Sequence, residues 1–194
     1  MFAIGLLVLL LQSSAANSPT YYVTDFSYDR LDCESGKKLR KESVPAGTVV
    51  SLESKAEKRL RLLEIASGRE SCIKALEKDL VPVQPVVLPD GSVAEFVDAR
   101  NHLDPPQVQA PASRAVLSLG VSDSPETTLP DAIVMFAIGA DGSVSGCRVL
   151  RSSRSTGWDN WAMDVACNAK YLPARKNGMP IAVTIVQRVS VGRS

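Results

Sequence analysis

The 194-residue chain sets 22 lysines and arginines against 21 aspartates and glutamates, for a formal net charge of +1. That balance excludes a dedicated nucleic-acid binder, whose phosphate contacts demand a basic excess. Hydrophobic residues at 45% and charged residues at 22% are ordinary globular values, and the length accommodates one large domain or two small ones.

An apolar run over residues 2–11 opens the chain, followed by Gln12-Ser13-Ser14-Ala15-Ala16. A membrane-spanning helix needs about 20 apolar residues, so the run is too short to cross a bilayer. Small residues at Ser14 and Ala16 fit a signal-peptidase site, which predicts residues 1–16 as a signal peptide and Asn17 as the first mature residue. No basic residue precedes the apolar core. The expectation is an exported, periplasmic protein, anchored in the inner membrane only if the leader stays uncleaved or the true start lies upstream.

Residues 17–80 read as a small α+β module of unassigned role. Tyr21-Tyr22-Val23-Thr24-Asp25-Phe26-Ser27-Tyr28 favours β structure, and residues 48–52 predict a second strand. Residues 53–66 predict an amphipathic helix with Ala56, Leu60 and Leu63 on one face. Ser67-Gly68 interrupts it, and Ser67-x-x-Glu70 has the form of a capping box opening a second helix to about Leu80. The interleaved Lys, Arg and Glu residues form a solvated face.

Over residues 81–128 the chain reads as a proline-rich connector, with Pro82, Pro85, Pro89, Pro105, Pro106, Pro111 and Pro125, and with Pro130 just beyond. Proline biases the backbone to extended conformations and disfavours regular pairing. Pro89-Asp90-Gly91 has the composition to close a hairpin between residues 83–88 and 92–97.

The last part, residues 129–194, has the clearest pattern. Strand-forming runs at 133–138 and 144–151 flank Asp141-Gly142, a tight-turn dipeptide. A polar loop, Ser152-Ser153-Arg154-Ser155-Thr156-Gly157, leads into residues 158–170, where Trp158, Trp161, Ala162, Val165 and Ala169 share one helical face. Tyr171-Leu172-Pro173-Ala174, an Asn177-Gly178 turn and a long final strand over 181–191 follow.

This ordered set resembles the C-terminal domain of the TonB family: strand, Asp141-Gly142, strand, Val149-x-x-Ser152-Ser153, Trp158-Asp159, Ala162 and Ala166, then Tyr171-x-Pro173-Ala174 and Asn177-Gly178-x-Pro180. The resemblance implies an α+β fold, strand–hairpin–strand–helix–strand. It implies a binding module without catalysis, in which an outer-membrane receptor peptide adds to the last strand during energy-coupled transport. Carried over by position, Ile181, Val183, Thr184, Ile185, Val186, Gln187, Arg188 and Val189 would form that edge, with Gln187 and Arg188 discriminating partners. A cleaved leader would remove the inner-membrane anchor a transducer needs. The competing class is therefore a disulfide-stapled structural or adaptor protein of the envelope, and homodimerisation through edge strands is a further expectation.

Four cysteines, Cys33, Cys72, Cys147 and Cys167, contain no C-x-x-C spacing. In an oxidising compartment an even count favours two disulfides over a metal site. Three pairings are open; keeping each bridge within one domain favours Cys33–Cys72 and Cys147–Cys167. Catalytic chemistry has little to draw on. The single histidine, His102, lies in the proline-rich stretch beside Asp104, and no G-x-S-x-G surrounds Ser152, Ser153 or Ser155. Neither a cofactor, a metal, a small-molecule substrate nor a nucleic acid is expected. Arg148, Arg151, Arg154, Lys170, Arg175, Lys176, Arg188 and Arg193 outnumber the nearby acids, an excess able to steer an acidic partner.

Overall fold

The computed structural model describes residues 20–56, 58–101, 103–110 and 131–190. The expected leader, His102, the final residues and the later part of the expected connector lie outside them. The first half is built from β1 (Tyr21–Thr24), β2 (Tyr28–Leu31), β3 (Lys38–Val44), β4 (Val49–Ala56), β5 (Arg59–Glu64), β6 (Arg69–Lys74) and β7 (Leu80–Val83). They form one antiparallel sheet in the order β3-β2-β6-β5-β4-β1-β7.

Both helices expected in this module are strands. Residues 53–66 form the end of β4, a turn and β5, and the stretch after Ser67 continues as β6. The alternation Arg59-Leu60-Arg61-Leu62-Leu63-Glu64 decides it: Leu60, Leu62 and Glu64 are buried, while Arg59 and Arg61 are exposed. One inward charge, Glu64, hides this period. Glu64 is buried because Arg30 donates to its Oε1 at 2.6 Å and Ser71 donates to the same oxygen, as a buried charge requires. Ser67 caps nothing. Ser67-Gly68 is the β5–β6 turn, closed by Gly68 N–H to the Glu64 carbonyl at 2.8 Å, and Glu70 pairs with Arg61 across the strands.

Much of the expected connector is also folded. Residues 81–110 supply part of β7, then β8 (Val86–Val87), β9 (Val93–Phe96), β10 (Leu103–Asp104) and β11 (Gln107–Ala110). The prolines sit where a missing N–H does no harm: Pro82 lies on β7, an outermost strand, and Pro85, Pro89, Pro105 and Pro106 lie between strands. Pro89-Asp90-Gly91 does close a hairpin, with Val86 opposite Ala94 and Val87 opposite Val93.

The second half contains β12 (Ala132–Ile138), β13 (Val144–Arg151), α1 (Thr156–Cys167), β14 (Lys170–Leu172), β15 (Ala174–Lys176), β16 (Met179–Ile181) and β17 (Val183–Val189). The main sheet runs β13-β12-β17-β9-β8, while β10 pairs β15 and β11 pairs β14. Strand β12 is buried on both faces. Its Ala132, Val134, Phe136 and Ile138 pack with Ala162 and Ala166 of α1 and with Tyr171. Its Ile133 and Met135 pack with Val23, Ala46, Ile65 and Val83 of the first half. The molecule is therefore layered, helix over five-stranded sheet over seven-stranded sheet. A further cluster around Val44, Val50, Leu60, Leu62 and Ile73 lies within the first half.

Candidate partner-binding strand

Alternation along β17 assigns its side chains to two layers. Val183, Ile185 and Val189 join the core under α1, and Val186 joins the core shared with the first half. Residue 181, expected to begin the final strand, instead ends β16 opposite Ala174. Along one flank β17 pairs with β12 over its whole length, from Val183 opposite Ile138 to Val189 opposite Ala132.

The other flank corrects the expectation of a free edge. Strand β9 lies parallel to β17 there, with Val183 opposite Glu95 and Thr184 opposite Phe96. Among the described residues no strand pairs with this flank from Ile185 to Val189. Thr184 is committed to the same contact: its Oγ1 accepts from Val86 N–H at 2.9 Å and donates to the Ala94 carbonyl. The opposite end of the sheet is a poor alternative, because β13 is twice bulged against β12, is tied to α1 by a disulfide and carries Arg148 and Arg151.

Arg188 is not a free discriminating charge. Its Nε donates to Asp131, whose other carboxylate oxygen accepts from Arg151, and Arg151 also donates to the Asp25 carbonyl at 2.6 Å. One carboxylate thus joins β17 to β13, and Arg151 links both to the first half. Arg151 also stands over the Phe26 ring, 5.5 Å from its centre. Gln187 faces the α1 layer at 3% exposure, and neither polar atom of its amide meets a hydrogen-bond partner among the described residues.

The cysteines pair as Cys33–Cys72 and Cys147–Cys167, with Cα separations of 5.2 and 6.3 Å. The serines before α1 build its entrance. Ser155 accepts from Trp158 N–H, while Ser152 and Ser153 donate to Asp159, whose carboxyl lies below its usual range through those bonds despite burial. Trp158 and Trp161 stack at 4.5 Å and flank the α1 core. No group of three or more metal-binding side chains occurs among the described residues, and no helix among them is long and apolar enough to cross a membrane.

Residues 131–190 match the family model described as Gram-negative bacterial TonB protein C-terminal. They form a TonB C-terminal domain. Such domains are protein-interaction modules of the bacterial envelope. No curated protein and no solved structure matches the chain. Within this TonB domain, sequence reasoning missed three things: the parallel neighbour β9, the bridging role of Asp131, and the covering of the outer sheet face. A hairpin at Pro89-Asp90-Gly91 was legible. Nothing in it points to a neighbour some ninety positions downstream.

Proposed function

We propose that this protein captures an extended segment of a protein partner by strand addition to the outer flank of β17, the partner being a peptide from an outer-membrane receptor in energy-coupled transport. The observation that supports it is the asymmetry of β17, paired along all of one flank and only at Val183 and Thr184 on the other. A strand whose backbone N–H and C=O groups face outward is a template for another chain, and main-chain bonds there supply affinity while side chains fix register. Ile185, Val186, Gln187, Arg188 and Val189 are the residues of that flank. A periplasmic location accords with the family and with the two disulfides.

A second reading, a stapled structural or adaptor protein without a transport role, draws on one observation: β9 already takes part of the flank. Titrating the full chain with synthetic peptides from receptor plug segments separates the two. Proline scanned singly from Ile185 to Val189 should abolish binding at the outward-donating positions in variants that remain folded. A parent chain that binds no receptor peptide, or folded proline variants that all bind like the parent, would leave the structural reading standing.

A further inference from the structure

Resting on that strand-addition reading, we propose that β9 is a resident occupant of the partner's place. The segment Ala94-Glu95-Phe96 fills the first part of the β17 flank, and an incoming strand takes the flank by replacing it in the same parallel direction with a small–any–aromatic pattern.

The hold of β9 on β17 is slight in backbone terms. It has two register pairs with β17, whereas β12 has seven. The strand behind it, β8, is two residues long, ends the sheet order and lies between Pro85 and Pro89. The cross-strand pair Val87 and Val93 is 64% and 50% exposed, so the hairpin's outer face is apolar and wet. Side chains do the holding. Thr184 grips Val86 N–H and the Ala94 carbonyl, Val86 packs against Gly146 of β13, and Phe96 sinks to 3% exposure with the Tyr21 ring edge-on at 5.0 Å.

That division of labour is the one peptide-capturing sheets use: a ladder any strand can make, with pockets that select side chains. The site of Phe96, edge-on to Tyr21 and in one buried cluster with Val23, Ile65, Ile133 and Met135, responds to an aromatic ring at the right register and not to the chain that carries it. A partner must displace the hairpin, so its apparent affinity is its intrinsic affinity multiplied by the fraction of molecules in which β9 is unseated.

The test uses the full chain and one labelled probe, a synthetic peptide with the sequence of residues 91–98, followed by fluorescence anisotropy. Phe96→Ala empties the pocket. Val86→Pro removes the N–H that Thr184 accepts together with the valine packing on Gly146, leaves Phe96 in place, and carries the test if the first variant fails to fold. Both should bind the probe roughly tenfold or more tightly than the parent, and a probe carrying Phe96→Ala should lose that gain. Equal binding of the probe by parent and folded variants, or binding by none of them, overturns the proposal. A receptor plug peptide that binds the parent without speeding amide exchange in residues 91–98 also overturns it, and leaves strand addition intact. Capture of the probe by the variants when no receptor peptide binds any chain upholds the pocket and rejects the receptor as its partner.

Discussion

Tyr171 lies between the sheet and the end of α1, donating its hydroxyl to the Ala166 carbonyl at 2.8 Å beside the Phe136 ring. Burial pushes its phenol up to about 12 from an ordinary 10.0. A raised acid contributes its full stability below the unfolded pKa and loses it as pH climbs through the folded one, so the window is pH 10 to 12. Urea titrations across that window should show stability falling, and Tyr171→Phe should flatten the fall while starting about 1 kcal/mol lower for the lost hydrogen bond. Tyr21 and Tyr28 are also raised, first by burial, and Tyr22 by its bond to Glu77, so part of the decline will remain. Gln187 makes the opposite case. An amide buried without partners costs roughly 1–3 kcal/mol, so Gln187→Leu should raise the denaturation midpoint with an unchanged slope; a lower midpoint would show the amide to be satisfied. For Arg188→Glu, facing Asp131 with a second carboxylate should cost on the order of 2 kcal/mol. That loss would accompany any change in partner on-rate and must be measured beside it.

At the level of elements, the Cys147–Cys167 bridge ties β13 to the helix that covers it, across a separation of 20 residues. Closing a loop of that size contributes roughly 3 kcal/mol, and the double serine variant should lose about that much in a urea titration. The elements that were legible from sequence share a local cause. Leu88 to Ser92 and Gly139 to Ser143 make the same turn, each with an Asp side chain accepting from the following Ser and a glycine at φ +83° or +82°. At Gly142 a Cβ would also stand 2.5 Å from the Tyr171 carbonyl oxygen, so only glycine fits. Helix α1 was legible because Trp158, Trp161, Ala162 and Val165 recur at helical spacing. The start of β4 was legible too, but β5, taken for part of a helix, was not, because Glu64 points inward to Arg30 and so breaks the alternation that marks a half-buried strand. A long-range partner had overridden a local signal.

Across the whole molecule, the core shared by Val23, Ala46, Ile65 and Val83 with Ile133 and Met135 makes the two halves one packed body. Ile133→Ala should therefore cost about 2–5 kcal/mol and lower the melting of both halves together, with one calorimetric transition where independent modules would show two. Cutting at residue 131 would leave Ile133 and Met135 without their cover, which is why binding is better measured on the full chain. No periodicity announces this covering, since it depends on which sheet lies over which. Asp131 has a mechanical consequence at this scale. The TonB domain enters at that residue and leaves just past Val189, and Ala132 and Val189 are opposite one another in the ladder. Tension applied between those two ends would unzip β12 from β17 one rung at a time, starting at its weakest geometry. The carboxylate that grips both Arg188 and Arg151 sits at the mouth of that zipper, so the first rung is bolted shut, and the force needed to open the domain is set there rather than in the sheet beyond.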